Sequence, residues 1–354
     1  MRRYVLIASG FQLFAPFIFS GCSRGTPPSP PPAAIDTAQL QVFAALPAVM
    51  ESASNPITEE KIALGRMLYY EPRLSKSQEI SCNSCHLLDK YGVDQQATSD
   101  GHKGQMGNRN APTVYNAAGH FIQFWDGRAA DVEEQAKGPV MNPVEMAMSS
   151  PEEVLAVLKS MPEYVDAFKR AFPEENDPVT YDNLAKAIGA FERRLVTPAR
   201  WDRFLAGDQN ALTAEEKAGF RTYMEAGCQT CHAGAYVGGS MFQKLGMVKA
   251  WPDPSDPGRE KATKSETDRM VFKVPSLRNI SETGPYYHDG KVNTLDQAVS
   301  AMADYQLGKT LTDAQVKSIV TWLATLTGDI PADYIKEPVL PKSTARTPKA
   351  DKMN

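Results

Sequence analysis

The sequence Cys82-Asn83-Ser84-Cys85-His86 recurs later in the chain as Cys228-Gln229-Thr230-Cys231-His232, and we call these the first and second pentads. Cys-x-x-Cys-His is the attachment signature of c-type haem, because the two thiols bond to the porphyrin while the adjoining imidazole reaches the iron. Two disulfides or one four-cysteine zinc site would also use these thiols, but neither requires a histidine after each pair. The pentads therefore predict two covalently bound haem c groups.

Length and composition are those of a globular protein of about two domains. The 354 residues are 42% hydrophobic and 9% aromatic, which is enough to form a sizeable core. The net charge is −4 and the basic clusters are short, so nucleic-acid binding has no support.

The N-terminus has the features of an export signal. Arg2 and Arg3 precede an apolar run from Val5 to Phe19 that is too short for a membrane-spanning helix. Small residues then lead to Cys22, an order that resembles a bacterial lipoprotein processing site. We expect a signal peptide over residues 1–21, a lipid anchor at Cys22 and a periplasmic protein. An ordinary signal peptide cut elsewhere is the alternative.

Four segments are predicted after the signal peptide. Residues 22–54 are a proline-rich tether and linker, and we expect structure to begin near Asn55. Residues 55–198 form an N-terminal haem domain, and residues 199–335 form a C-terminal one. Residues 336–354 form a tail whose last ten residues are expected to be disordered.

Helices make up most of the predicted structure. Ser150 and Thr213 each begin a capping box, the pattern that starts a helix with Ser or Thr and places Glu three residues later. The stretch from Gly92 to Asn110 contains four glycines and few apolar residues, which is typical of a long mobile loop. Since no run alternates as a strand does, the predicted fold class is all-α. The predicted helices cover residues 58–71, 150–160, 180–195, 213–225, 295–305 and 312–326.

The two halves of the chain resemble each other beyond the pentads. The matched stretches are Thr58–Glu71 with Thr213–Glu225, Arg109-Asn110 with Arg278-Asn279, and Phe124-Trp125-Asp126-Gly127-Arg128 with Tyr287-His288-Asp289-Gly290-Lys291. Such matches indicate an internal duplication. We predict two cytochrome c-like haem domains related by a pseudo-twofold axis.

The halves differ in the residue that could bind each iron from the side opposite the pentad. His102 lies in the glycine-rich loop of the first half, and Met302 lies on a predicted helix after the second pentad. His/Met ligation raises the reduction potential of a haem above that of His/His ligation. With fourteen methionines in the chain, Met302 could equally be a packed core residue. His120 and His288 are assigned structural positions.

The order of further motifs resembles the bacterial dihaem cytochrome c peroxidases, over about residues 40–340. The first-half motifs are Ser-Asp-Gly-His102, Arg-Asn110-Ala-Pro-Thr, Gln-Phe-Trp125-Asp-Gly-Arg, Glu-Gln135-Ala-Lys-Gly-Pro and Asn-Pro-Val-Glu145-Met. The second-half motifs are Phe-Lys-Val-Pro-Ser-Leu-Arg-Asn, Gly-Pro285-Tyr-Tyr-His-Asp-Gly and then Met302.

This resemblance implies a role for each matching haem residue. His86 and the removable ligand His102 would hold a low-potential iron that reacts with peroxide. His232 and Met302 would hold a high-potential iron that relays electrons. Trp125 would lie between the two haems as an electron bridge.

The resemblance also implies the remaining site residues. Glu145 and Gln135 would line the peroxide pocket. A calcium ion would bind at the domain interface near Asn110, Thr283 and Pro285.

The implied reaction is the reduction of hydrogen peroxide to water with electrons from a small periplasmic cytochrome c or cupredoxin. Peroxide binds only to five-coordinate iron, so we expect reduction of the high-potential haem to release from the iron His102, which lies on a flexible loop. Glu145 would then transfer a proton between the two peroxide oxygens. Family members commonly form homodimers, and we expect one here.

Two other functions would use the same haem sites. A dihaem enzyme that matures a tryptophan-derived quinone cofactor has a tyrosine in place of the axial methionine and lacks the distal histidine. Tyr305, one turn after Met302, keeps that alternative open. A non-catalytic dihaem electron carrier would have no use for Glu145 and Gln135, so these residues favour the peroxidase.

Overall fold

The computed structural model describes residues 1, 4–6, 10 and 35–352. Met1–Ala33 and Ala34–Asn354 are separate units, and every described helix and strand belongs to the second. The predicted lipid anchor at Cys22 lies outside the described residues, as does most of the predicted signal peptide. No helix in the described part of the chain is long and apolar enough to cross a bilayer.

The described chain is mainly helical, as predicted, but it also contains a short antiparallel sheet that the prediction missed. In this sheet Phe242 pairs with Lys273 and Lys244 pairs with Val271. The α-helices are α1 (Thr37–Leu40), α2 (Glu59–Tyr69), α3 (Cys82–Cys85), α4 (Val132–Met141), α5 (Pro151–Lys159), α6 (Pro162–Ala171), α7 (Tyr181–Glu192), α8 (Arg200–Leu205), α9 (Ala214–Ala226), α10 (Glu260–Thr263), α11 (Leu295–Leu307) and α12 (Asp313–Leu323), and the strands are β1 (Phe242–Lys244) and β2 (Val271–Lys273). Single 3₁₀ turns lie at Pro72–Leu74, Leu88–Lys90, His102–Gly104, Ala117–Gly119, Cys228–Thr230, Glu266–Asp268 and Ala324–Leu326.

Side-chain caps begin the long helices where the sequence predicts them. Thr58 and Ser150 each accept a hydrogen bond from the backbone N–H three residues later. At Thr213 the capping box is complete, because the Glu216 carboxylate accepts a hydrogen bond from the Thr213 N–H at 2.8 Å. Such caps satisfy N–H groups that have no partner within a helix, and each contributes roughly 1 kcal/mol.

Two hydrophobic cores form around two pairs of closely packed helices. α2 packs against α7, and α9 packs against α12. Both contacts depend on a glycine: a Cβ on Gly65 would lie 1.9 Å from the Ala187 carbonyl oxygen, and a Cβ on Gly219 would lie 2.1 Å from that of Ser318. The backbones could not approach so closely with any larger residue.

The prediction that residues 22–54 are only tether and linker is wrong for their last part. α1 lies within this segment, and the Phe43 ring is buried in the second core at 5.6 Å from Trp201 and 5.7 Å from Phe220, edge to face. The Gly234 N–H also donates to the Val42 carbonyl at 2.8 Å. Structure therefore begins well before Asn55, because the second core needs this aromatic ring.

The predicted disorder of the last ten residues is also not what the structure shows for residues 345–352. The Tyr334 ring stacks on Phe191 at 5.1 Å, and the chain beyond it runs over the first half. The Thr347 hydroxyl lies 2.8 Å from that of Ser160, and the Asp351 N–H donates to the Lys76 carbonyl at 2.9 Å. The tail thus packs on the half that contains the first pentad.

Candidate haem and peroxide sites

The first pentad is placed by α2. The Tyr69 hydroxyl, from the end of that helix, donates to the His86 carbonyl at 2.8 Å. The His86 Nδ1 atom lies 3.3 Å from the Gly92 carbonyl oxygen, which can only accept, so Nδ1 carries the proton and Nε2 has the free lone pair. Burial raises the pKa of Cys82 to about 12 and that of Cys85 to about 11, so both thiols remain neutral.

The second pentad is held in a similar way, although no group in the described part of the chain forms a hydrogen bond with His232 Nδ1. The Tyr223 hydroxyl of α9 donates to the His232 carbonyl. The carbonyl groups of Val237 and Pro275 face the His232 ring, and burial lowers its pKa to about 4. A neutral imidazole whose Nδ1 faces a carbonyl and whose Nε2 is free is the form in which histidine binds a metal. Both pentads therefore fit haem c.

The geometry rules out a shared zinc site. Cys82 packs against the first core and Cys228 against the second, so one ion cannot bind both pairs. Within the described residues no cluster of three His, Cys, Asp or Glu side chains could hold a metal ion, and all four pentad cysteines are free of disulfides.

His102 and Glu145, which the sequence predicts to share the peroxide site, are brought together. The His102 N–H donates to the carbonyl oxygens of Val144 at 2.9 Å and Glu145 at 2.8 Å. The loop lies so close that a Cβ on Gly101 would be 1.9 Å from the Val144 oxygen. Although this segment is a loop, as predicted, its histidine is only 3% exposed.

The Glu145 carboxylate is fixed in a tight turn after α4. Asn142, the C-cap of that helix, donates from Nδ2 to Glu145 Oε1 at 2.7 Å. Burial raises the pKa of Glu145, while the Arg128 guanidinium and the Asn142 hydrogen bond oppose that rise. Glu145 is also one of the negative groups that raise the pKa of the Cys85 thiol, so it lies on the side of the first pentad. Gln135 is half-buried on α4 itself.

Trp125 lies between residues of the two halves. Its indole Nε1 donates to the Asn110 carbonyl at 2.9 Å, and its own carbonyl accepts from the Lys273 N–H at 2.8 Å. The His288 ring of the second half lies 6.5 Å away, edge to face. The indole is thus part of the junction between the halves.

Met302 is half-buried on α11, on the face that meets the second core. Leu295 and Val299 pack against that core, and Met302 follows at the next position of the same helical face. Tyr305 is engaged elsewhere: its ring packs edge to face on Trp251 at 5.1 Å.

Of the predicted calcium ligands, Asn110 is held against the turn that contains Thr283 and Pro285. Its N–H donates to the His288 carbonyl at 2.8 Å, and its Nδ2 donates to the Gln96 carbonyl at 2.9 Å. With Nδ2 so occupied, Oδ1 is the atom that can face a cation, and calcium prefers such amide and carbonyl oxygens. Asn110 therefore offers one oxygen of the kind that calcium binds.

The predicted match of Arg109-Asn110 with Arg278-Asn279 is wrong. Asn279 has a left-handed φ of 59° and donates from Nδ2 to Thr197 Oγ1 at 2.9 Å. Asn116 has a φ of 62° and donates to the same oxygen at 2.9 Å. Asn116 and Asn279 also stand at the same distance, 11 residues, before the glycine of the next Asp-Gly turn. The Arg-Asn dipeptides at 109–110 and 278–279 are therefore not structurally equivalent, and Asn116 is the counterpart of Asn279.

Sequence reasoning missed the tyrosines that hold the two pentads. Gly65 and Tyr69 in α2, like Gly219 and Tyr223 in α9, form a Gly-x-x-x-Tyr pattern in which the glycine permits helix contact and the hydroxyl holds the proximal histidine. The common spacing of four was a signal that could have identified them.

Arg109 is another residue whose structural role the sequence did not reveal. Its guanidinium bonds Asp126 of the first half at 2.7 Å and Asp256 of the second half at 2.6 and 2.7 Å. A bidentate pair of this kind has a well-defined geometry and ties the halves together beside Asn110.

Comparison with known proteins gives a consistent result. Residues 59–210 match the family model described as di-haem cytochrome c peroxidase. The cytochrome c551 peroxidase of Pseudomonas aeruginosa is 46% identical over 307 residues, which cover 85% of this chain and 88% of that protein. The protein of the same name from Nitrosomonas europaea is 48% identical over 300 residues, covering 84% and 88%. A crystal structure of a MauG-like protein associated with microbial copper homeostasis superposes with a TM-score of 0.73 at 28% identity, covering 83% of this chain and 97% of that one.

Proposed function

We propose that this chain, which belongs to the di-haem cytochrome c peroxidase family, divides the reduction of hydrogen peroxide between its two haem sites. Peroxidase activity and two haem c groups follow from that membership. The division assigns reaction with peroxide to the first pentad and electron relay to the second. The contact of the His102 N–H with the Val144 and Glu145 carbonyls is the observation that carries it. It supports the proposal because it brings the predicted removable ligand next to the predicted acid–base residue.

His86 and His102 would hold one iron, and His232 and Met302 would hold the other. When bound, haem would supply a redox-active iron with which peroxide can react. His102 is the ligand proposed to leave, since it follows Gly101 in a loop and its backbone N–H is docked on the turn of Val144 and Glu145.

Glu145 would serve as the proton carrier. Asn142 holds Oε1, and Oε2 would take the proton from the near oxygen of peroxide and return it to the departing one. Burial raises the pKa of this carboxyl, which brings it closer to neutral pH and favours both uptake and release. Gln135, on the helix that leads into this turn, would line the pocket.

Trp125 would pass electrons from the second site to the first. Its hydrogen bonds to Asn110 and Lys273 fix the indole at the junction, so the distance that an electron crosses does not vary. A calcium ion held by Asn110, Thr283 and Pro285 would stabilise the same junction.

The two pentads would lie in duplicated haem domains, at about residues 55–198 and 199–335. Support comes from turns that repeat at a constant offset of 163 positions: 116 and 279, 124 and 287, and 127 and 290 each have a left-handed φ. The electron donor would be a small periplasmic cytochrome c or cupredoxin. The protein would be located in the periplasm, carry a lipid at Cys22 and form a homodimer.

The two alternative functions receive less support. Tyr305 packs on Trp251, which leaves Met302 as the residue of α11 suited to ligate an iron. The close relatives are named as peroxidases, which does not favour a non-catalytic carrier.

Replacement of Glu145 by Gln tests the assignment of the peroxide site. Loss of the proton carrier should lower the turnover of peroxide by roughly 10²- to 10⁴-fold while the absorption spectra of both haems are unchanged. Glu152→Gln, at an exposed carboxylate of α5, is the matched control and should retain full activity. A Glu145→Gln enzyme with activity within a few-fold of the parent would overturn the role.

A further inference from the structure

Lys273 is a buried cation at the junction of the two halves. The residue is 7% exposed, and its Nζ donates to the Ile122 carbonyl at 3.1 Å and lies 3.3 Å from His120 Nδ1. Among residues 35–352 no carboxylate forms an ion pair with it. A buried ammonium group without an acidic partner is costly, so such a residue needs an explanation. Burial lowers its pKa to about 8, which still leaves the group mainly charged at neutral pH.

The duplicated turns show what Lys273 corresponds to. At the offset of 163, Lys273 is the counterpart of Asn110. The Asn110 N–H donates to the His288 carbonyl at 2.8 Å, and the Lys273 N–H donates to the Trp125 carbonyl at 2.8 Å. Trp125 and His288 are themselves 163 positions apart, so the two hydrogen bonds are the same contact made in opposite directions across the junction.

The other two predicted calcium ligands, Thr283 and Pro285, also have counterparts at the offset of 163. Ile122, whose carbonyl accepts from Lys273 Nζ, is the counterpart of Pro285, and His120 is the counterpart of Thr283. The antiparallel bridges that close the two turns, Gln123 with Ala129 and Tyr286 with Val292, obey the offset as well.

We propose that the ammonium group of Lys273 is a built-in cation, which takes on one side of the junction the place that calcium takes on the other. This inference rests on the proposed calcium site at Asn110. Lys273 is then a positioning residue for Trp125, since its side chain holds the start of the 122–125 turn and its main chain holds the end.

The exchange of a metal ion for a lysine makes the two sides of the junction respond differently. The Asn110 side is continuous with the loop that carries His102, and its order would depend on a dissociable ion. The Lys273 side carries Trp125, and its cation is covalently attached and cannot dissociate. Calcium would therefore act on the ligand loop and, through the Asn110 carbonyl, on one of the two hydrogen bonds that hold Trp125, whereas the bond from the Lys273 N–H to the Trp125 carbonyl would not depend on it.

The test is the calcium content of the full-length holoprotein after equilibrium dialysis. Lys273→Asn supplies an amide oxygen beside the Ile122 carbonyl and should bind one more calcium ion per chain than Lys273→Met, which supplies no oxygen. Equal calcium contents in the two variants, each with both haems attached, would overturn the inference. If the parent protein binds no calcium, the site proposed at Asn110 fails, whereas the comparison of the two variants still decides the role of Lys273.

Hydrogen exchange gives an independent readout. Lys273→Met should speed exchange of residues 120–126 by roughly tenfold, because hydrogen bonds from charged groups are worth at least that factor. In the parent protein a chelator should loosen residues 283–288 and leave residues 120–126 protected. Unchanged protection of residues 120–126 in Lys273→Met would contradict the positioning role.

Discussion

Replacement of Gly101 by Ala should open the peroxide site without reduction of the second haem. The backbone at Gly101 is extended, so alanine suits its φ and ψ, but the new Cβ would lie 1.9 Å from the Val144 oxygen. Since ordinary carbon–oxygen contacts begin at about 3.3 Å, the loop must retreat by about 1.4 Å. That movement breaks the two hydrogen bonds from the His102 N–H, at 2.8 and 2.9 Å. Their loss is worth about 1–2 kcal/mol, a factor of roughly 5–30 in the ratio of open to closed loop.

The assay is the spin state of the fully oxidised protein, measured by absorption and electron paramagnetic resonance. The high-spin fraction of the first haem should rise by that factor, and oxidised enzyme should turn over peroxide without a reductive lag. Gly107→Ala is the matched control, because its Cβ would have no neighbour closer than 3.7 Å. A low-spin Gly101→Ala protein, or an equal change in Gly107→Ala, would refute the docking of His102 as the closed state.

Two further predictions concern stability. Glu192 is buried at the end of α7, and burial followed by the nearby Glu133 carboxylate raises its pKa to about 8 from 4.5. Because the folded state holds this proton more tightly, protonated Glu192 contributes to the free energy of unfolding below pH 4.5, and this contribution is lost as the pH rises to 8. The upper limit of the loss is roughly 5 kcal/mol, at 1.36 kcal/mol per pKa unit. Urea unfolding of Glu192→Gln should not show this loss. Phe43→Ala should lower the free energy of unfolding by about 3–5 kcal/mol, since the ring is enclosed by Trp201 and its neighbours. A loss below 1 kcal/mol in denaturant titration would mean that residue 43 behaves as linker.

Local signals made the helices and the pentads predictable from the sequence. Thr58, Ser150 and Thr213 cap helices through hydrogen bonds to residues three positions away, so the sequence contains all of the interaction. The spacing within each pentad is local in the same sense. His102 and Glu145 are in contact, and only the resemblance to a family linked them in advance, because 43 residues separate them and no local rule connects them.

The features that could not be predicted depend on distant partners. Phe43 is the single aromatic residue of positions 35–54, and its burial depends on Trp201, 158 positions later. The pairing of β1 with β2 joins two three-residue strands that are too short for an alternating pattern. The match of Asn110 with Asn279 followed two letters, whereas the true counterpart, Asn116, is identified by its contact with Thr197.

In the proposed mechanism Glu145 would combine two functions, because they use different parts of the residue. Its main-chain carbonyl accepts from the His102 N–H, and its carboxylate is the proposed proton carrier. The turn that holds it does not need the His102 loop: the Glu145 N–H donates to the Asn142 carbonyl at 3.0 Å, and Asn142 Nδ2 fixes Oε1. When the loop leaves, the carboxylate therefore keeps its place, and the acid–base group is already positioned when the iron becomes accessible. A ligand docked on the side chain of Glu145 would have disturbed the catalytic group on departure, and docking on the backbone avoids this.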